Sequence, residues 1–151
     1  MKTRRLGGTG WEISVISFGA IKLPQLSQKE CDILLNRAID LGINLVDTAD
    51  CYGDSEEKIG KALSRRREEF YLSTKVDERD GSGVSKKLER CLRRLKTDWI
   101  DLVLFHDVRG QNMSARDRSA QFALGPPPPL IKNAAPTGTR PEGLGAGNAD
   151  A

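Results

Sequence analysis

The stretch "GINLVDTADCYGDSEEKIG", residues 42–60, indicates the fold class of the chain. It contains "INLVD", a short apolar run that predicts a buried strand, and it then becomes a polar loop with acids, a cysteine and a tyrosine. Asp54 or Ser55 can cap the segment that follows, in which Ile59 and Leu63 mark the inner face of a helix. The stretch therefore predicts one βα unit with a polar loop at the carboxyl end of its strand.

The same plan recurs on both sides of this stretch. Further strands are predicted at "SVISFGA" (14–20), "EEFYLSTKV" (68–76) and "WIDLVLFHD" (99–107). Ser27 and Glu30 have the spacing of a capping box for the first helix, and Gly42 supplies its stop. Two apolar helix faces are predicted: Cys31, Leu34, Leu35, Ala38 and Leu41 in the first helix, and Val84, Leu88, Cys91, Leu92 and Leu95 in "VSKKLERCLRRLK".

Alternating strands and helices of this kind favour a parallel sheet with right-handed crossovers. Residues 3–14 contain the Gly-rich turn "GGTG" between two short runs that can pair, which predicts a β-hairpin ahead of the main fold. We therefore predict an α/β domain over residues 1–108, with an N-terminal β-hairpin followed by about four βα units.

Residues 109–151 have a different composition. No helical or strand period is sustained there, and six of the chain's 7 prolines fall in this segment: Pro126, Pro127, Pro128, Pro129, Pro136 and Pro141. A segment of this composition buries too little apolar surface to offset the entropy of ordering it. We predict a disordered tail with a short polyproline stretch.

Charge and cysteine content limit the cellular context. Lys and Arg total 24 against 21 Asp and Glu, and a net charge of +3 is too small to indicate a nucleic-acid partner. The run "RRR" at 65–67 is interpreted as cations at the negative end of a helix. Cys31, Cys51 and Cys91 lack the spacing of a metal site or redox pair. No signal peptide or membrane span is predicted, so we expect a cytoplasmic protein without a metal.

Ionisable side chains collect where the predicted strands end. Asp47 ends the second strand and Tyr52 follows it, Lys75 ends the third and His106 the fourth. Ligands of parallel α/β folds bind beyond the carboxyl ends of the strands, and neighbouring strands lie about 4.8 Å apart. We therefore expect one cluster.

The cluster suits the reduction of a carbonyl group. A neighbouring ammonium group favours the phenolate form of a tyrosine, which makes it a better proton donor. Lys75 would have this role towards Tyr52, Asp47 would hold Lys75, and His106 would bond to the carbonyl oxygen or to the tyrosine. No side chain supplies hydride, so a cofactor is implied.

Several motifs resemble the N-terminal half of an aldo-keto reductase. They are residues 42–60, "STK" at 73–75, "LFH" at 104–106 and the opening "RRLGGTGWEISVISFGA" at 4–20. The resemblance covers residues 1–108, and the motifs come in the family's order at compatible spacings.

This resemblance implies a (β/α)8 barrel and NADPH-dependent reduction of an aldehyde or ketone. It gives Asp47, Tyr52, Lys75 and His106 catalytic positions, with Tyr52 as proton donor, and it places Ala20 and Asp47 close to the nicotinamide. Such a barrel typically needs about 250 residues. We therefore expect a truncated barrel that lacks the half holding most of the cofactor.

The same residues allow two alternatives. Taken singly, each of the four residues has a simpler structural explanation, such as a cap, a solvated strand end or a partly buried ring. The second alternative is a catalytically inactive half-barrel that aggregates or self-associates through its open sheet edges. Cys31 and Cys91 are interpreted as core residues, whereas an exposed and reactive Cys51, beside Tyr52, is an open alternative.

Overall fold

A β-hairpin precedes the main sheet. The computed structural model describes residues 1–107, so the predicted disorder of 109–151 and the domain boundary at 108 lie outside the described residues. Strands β1 (Thr3–Arg5) and β2 (Glu12–Ser14) pair antiparallel. A single turn of 3₁₀ helix (Gly7–Thr9) joins them. The predicted hairpin and the position of its turn are confirmed.

The main sheet is parallel and four-stranded in the described part of the chain. Its strands are β3 (Phe18–Gly19), β4 (Leu45–Asp47), β5 (Tyr71–Val76) and β6 (Leu102–Phe105), and their spatial order follows the sequence. The α/β fold class and the order of its elements are therefore confirmed.

Strand β3 is much shorter than predicted. Val15 and Ile16, expected to lie inside the strand, are 50% and 58% exposed. The hairpin explains this difference, because Ser14 ends β2 and its N–H donates to Asn44 Oδ1 at 2.7 Å. The chain is thereby held at the hairpin and reaches the sheet edge only at Phe18.

Three α helices connect the parallel strands within residues 1–107: α1 (Gln28–Asp40), α2 (Ser55–Leu63) and α3 (Gly81–Leu95). The capping box of α1 is confirmed, with Ser27 and Glu30 bonding each other reciprocally. Helix α3 begins at Gly81, ahead of the predicted helical segment that starts at Val84, because the Asp80 side chain caps it by accepting from Gly83 N at 2.8 Å. Asp54 occupies the N-cap position of α2 as predicted. Within residues 1–107, however, its side chain makes no capping hydrogen bond.

The apolar face predicted for α1 was partly wrong. Leu34 and Leu41 are 43% and 53% exposed, whereas Ile39, which was not predicted, is 7% exposed. At 3.6 residues per turn, the sheet-facing stripe follows Cys31 and Leu35 to Ile39, and Leu34 lies on its flank.

The helices cover one face of the sheet. Val46, Leu72 and Val76 point to that face and are at most 1% exposed. They form one core with the inner faces of the helices, whose buried residues are Cys31, Leu35, Ile39, Ile59, Leu63, Leu88, Cys91 and Leu95. On the opposite face, Trp11 of the hairpin stacks on Tyr71, with ring centroids 4.9 Å apart. The helix-free face is therefore covered by the hairpin at the start of β5 and can present functional side chains at its other end.

The arginine run does not have the predicted role throughout. It lies after α2 as expected, but the Arg67 side chain is buried and its Nη2 lies 2.6 Å from Asp101 Oδ2. Arg66, at the surface of the run, pairs with Asp40 and Glu69. Arg67 is therefore a buried charged residue, and its ion pair joins the segment after α2 to Asp101, the residue before β6. No helix among residues 1–107 has the length and apolar character to cross a membrane.

Candidate active site

The sheet register places three of the predicted site residues on one face. Asp47 is paired with Ser73 and Lys75 with Leu104, and His106 follows Leu104 by two residues. Because side chains alternate between the two faces of a strand, Asp47, Lys75 and His106 share the face that the helices leave uncovered. The sequence pattern therefore brings residues from three strand ends together.

Asp47 and Lys75 form the centre of the cluster. Lys75 Nζ lies 2.5 Å from Asp47 Oδ2 and donates a second hydrogen bond to Thr48 O at 2.9 Å. Asp47 Oδ1 accepts from Ser73 Oγ at 2.9 Å, so both carboxylate oxygens are engaged. The ammonium group is consequently held in one place at the edge of the sheet.

Tyr52 lies in the loop after β4, beside this ion pair. Its N–H donates to Ala49 O at 3.0 Å, and its carbonyl accepts from Ser55 N at 3.0 Å, which fixes the loop ahead of α2. The centroid of the Tyr52 ring lies 5.3 Å from Lys75 Nζ and 5.6 Å from the centroid of the His106 ring. The structure thus brings all four predicted residues into one cluster.

Ala20, the other residue assigned by resemblance, follows β3 directly. Its predecessor Gly19 pairs with Asp47, so Ala20 lies at the same end of the sheet as the cluster. The residue is fully buried, and its carbonyl accepts from Ser55 Oγ at 3.0 Å. This contact joins the end of β3 to the beginning of α2.

Cys51 is a neighbour of His106 that the sequence did not reveal. The residue is exposed, and its Sγ lies 3.1 Å from His106 Nδ1. Partial burial of the sulphur raises the pKa of the Cys51 thiol, and the charges of Asp77 and Asp50 act in the same direction. The structure agrees with the exposed alternative for Cys51, whereas a raised pKa disfavours a reactive thiolate.

A buried network of charged side chains contacts the loop between β4 and α2, which carries Tyr52. Asp50, Glu56 and Cys91 place ligand-type atoms within 4.8 Å of one another. Asp50 pairs with Arg90 at 2.5 Å and Arg94 at 3.2 Å, and Lys87 also approaches it. All three cations lie within 3.4 Å of an Asp50 oxygen, so we interpret the group as an ion-pair network that ties α3 to the loop preceding Tyr52. Burial, reinforced by Glu56, raises the pKa of the Cys91 thiol.

Known proteins are similar to this chain in sequence and in fold. The sequence profile of the Aldo/keto reductase family matches residues 15–122. The Bacillus subtilis (strain 168) protein named "Uncharacterized oxidoreductase YqkF" is 38% identical over 120 residues, which cover 70% of this chain and 39% of that protein. Methylglyoxal reductase YeaE of Escherichia coli (strain K12) is 41% identical over 86 residues, or 53% of this chain and 30% of that protein.

A solved structure gives the same result. An aldo-keto reductase from Klebsiella pneumoniae, in complex with NADPH, superposes with a TM-score of 0.62 at 32% identity and covers 70% of this chain and 39% of that chain. The chain spans between 30 and 39% of the length of these three proteins. The profile match over most of the chain confirms the resemblance seen in the sequence motifs. The chain belongs to the aldo/keto reductase family.

Proposed function

We propose that this chain carries the catalytic residues of an NADPH-dependent aldo-keto reductase that reduces an aldehyde or ketone to an alcohol. The main support is the position of Lys75 Nζ, 2.5 Å from Asp47 Oδ2 and 5.3 Å from the centroid of the Tyr52 ring. An ammonium group held beside a phenol favours release of the phenolic proton. This is the property that a proton donor to a carbonyl oxygen needs.

The donor set of the cluster fits a nicotinamide cofactor. Acids, bases and a phenol can move protons but cannot supply hydride, and a bound NADPH would deliver hydride to the carbonyl carbon. Asp47 is 31% exposed and Lys75 15% exposed at the side chain, so the cluster is accessible from the uncovered face. We assign Ala20 and Asp47 to the surroundings of the nicotinamide, because both lie at the end of the sheet where Tyr52 is found.

Each side chain then has a separate part in proton transfer. Tyr52 donates its phenolic proton to the carbonyl oxygen, and Lys75 favours the phenolate that remains. Asp47 orients Lys75 through the short contact described above. His106, whose ring is edge-on to Tyr52 at an interplanar angle of 79°, donates a hydrogen bond to the same oxygen.

The proposal is tested by titrating the purified chain with NADPH and following energy transfer from Trp11 and Trp99 to the cofactor. We expect saturable binding, and then turnover of methylglyoxal, which is tested first because the relative YeaE is named a methylglyoxal reductase. Tyr52→Phe should bind NADPH normally and lose about 10²- to 10⁴-fold in turnover. A folded chain without saturable NADPH binding would contradict the proposal.

We also propose self-association, the second possibility raised by the sequence. In the described residues β3 and β6 are the outer strands of the parallel sheet. Val15, Ile16 and Ile21, which are 50%, 58% and 55% exposed, flank β3. Unpaired strand edges beside exposed apolar side chains favour pairing with a second chain. Light scattering should give a molar mass above that of one chain, and a strict monomer would contradict this. Self-association without NADPH binding would indicate a catalytically silent protein.

A cytoplasmic location and a partner limited to a small carbonyl substrate complete the proposal. All three cysteines are free, which is typical of a reducing compartment. Arg66 and Arg67 are engaged in ion pairs, which argues against a nucleic-acid surface at the arginine run.

A further inference from the structure

Hydrogen bonds fix the backbone of His106 on both sides, so the orientation of its ring depends on the contacts that the ring itself makes. His106 N donates to Val76 O at 2.8 Å, which extends the pairing of β5 with β6. His106 O accepts from Arg79 Nη2, also at 2.8 Å. The hydrogen bond that the ring makes within residues 1–107 is the contact of Nδ1 with Cys51 Sγ, 3.1 Å away. Cys51 is therefore placed to control the ring and its protons.

The thiol carries its hydrogen at neutral pH. Partial burial of the sulphur is the main reason that the pKa of Cys51 is raised, and the negative charges of Asp77 and Asp50 add to it, while Lys75 opposes them. A protonated thiol is a weak hydrogen-bond donor and a poor nucleophile. The contact with a neutral imidazole can run from S–H to nitrogen or from ring N–H to sulphur, and the first direction is favoured because sulphur is a weak acceptor.

This direction of donation determines the tautomer of the histidine. In a neutral imidazole one nitrogen carries hydrogen and the other accepts. When Nδ1 accepts from the thiol, the ring hydrogen is on Nε2, across the ring from Cys51. A ring with hydrogen on Nε2 can donate to a carbonyl oxygen from that side, which is the task assigned to His106 above.

We propose that Cys51 is a positioning residue, whose thiol donates to His106 Nδ1 and holds the neutral imidazole in one orientation as the Nε2–H tautomer. The contact itself is independent of cofactor and substrate. Its catalytic meaning rests on the proposed function. Cys51 touches neither reacting atom in this scheme, and it acts through His106 alone.

The tautomer can be measured directly, because His106 is the only histidine in the sequence. In ¹⁵N-labelled chain at a pH where the ring is neutral, we expect a protonated Nε2 and a hydrogen-bonded, unprotonated Nδ1. Cys51→Ala should move both ¹⁵N shifts towards the average of two exchanging tautomers. Cys51→Ser keeps a donor and should restore the wild-type pattern. A protonated Nδ1 in the wild type, or unchanged shifts in Cys51→Ala, would overturn the proposal.

Alkylation provides a second arm that needs no substitution. Cys51 is exposed while Cys31 and Cys91 are fully buried, so the methylating reagent methyl 4-nitrobenzenesulfonate, at mildly alkaline pH, should react with the folded chain at Cys51. The S-methyl product has no hydrogen-bond donor, and the His106 shifts should match those of Cys51→Ala. Wild-type shifts after complete alkylation would count against the proposal. Neither arm requires NADPH or turnover, so this inference and the proposed function can fail separately.

Discussion

Lys75 and Asp47 form an ion pair across the carboxyl ends of β5 and β4, with Nζ 2.5 Å from Oδ2. The two residues are 28 positions apart in the sequence, and the parallel register places them on the same face. A further hydrogen bond from Lys75 to Thr48 O keeps the ammonium group at the Tyr52 ring. Through this pair, the register of the sheet sets the position of the ammonium group relative to the tyrosine ring.

Replacing Lys75 should abolish most of the proposed carbonyl reductase activity. Lys75→Met removes the ammonium group beside Tyr52 and retains an unbranched side chain of similar length. We expect kcat to fall by at least about 100-fold, because general acid–base catalysis typically contributes about 10²- to 10⁴-fold to the rate. Lys29→Met, at an exposed position of α1, is the matched control and should leave kcat unchanged. Equal rates in the two variants would remove Lys75 from the mechanism.

The buried pair of Arg67 and Asp101 should dominate the charge contribution to stability. The two side chains are 7% and 2% exposed, and the guanidinium also lies 4.6 Å from the centroid of the Trp99 ring. Asp101→Asn retains an oxygen that can accept from Leu72 N but removes the carboxylate charge that is paired with the buried Arg67 guanidinium. We expect the free energy of unfolding, measured in urea, to fall by about 3–5 kcal/mol.

Arg66→Ala is the control for that measurement. Arg66 pairs with Asp40 and Glu69, whose side chains are 52% and 50% exposed, so water solvates the charges that remain. The loss of stability should be much smaller than for Asp101→Asn. Similar losses in the two variants would mean that burial does not set the contribution of these pairs.

Gly60 should tolerate no side chain, because α2 and α3 approach each other at this residue. A Cβ at position 60 would lie 2.3 Å from Arg94 O and 2.7 Å from the carbonyl carbon of Leu95. Gly60→Ala should lower the free energy of unfolding by about 1–3 kcal/mol, since backbone must move. Gly81→Ala, where nothing lies within 4 Å, should be neutral or stabilising by up to about 1 kcal/mol. Thermal melts that rank the two variants in the opposite order would contradict this packing.

The capping box of α1 should give a pH-dependent contribution to stability. Hydrogen bonds from the side chain and backbone of Ser27 lower the pKa of Glu30. Because the folded value lies below the unfolded one, the contribution is complete above the ordinary glutamate pKa of about 4.3 and is lost as pH falls through the lowered value. The stability gap between wild type and Ser27→Ala should therefore be wider at about pH 7 than at about pH 3. A gap that is constant in urea titrations at both pH values would exclude Glu30 as its source.

Features that depend on local period and on strand ends follow from the order of the amino acids alone. The spacing of Ser27 and Glu30 predicted the start of α1, and the alternation of strands and helices predicted the parallel sheet. Asp47, Lys75 and His106 could be grouped from their positions in the chain, because carboxyl ends of parallel strands meet at one edge.

Relationships between residues that are distant in sequence and share no period depend on the tertiary fold. The contact of Cys51 with His106 spans 55 positions, and that of Arg67 with Asp101 spans 34. The exposure of Val15 in an apolar run followed from the anchoring of the hairpin, not from its own composition. The physical reason is that the period of a helix or strand determines which way a side chain points, whereas strand register and tertiary packing determine which residues it contacts.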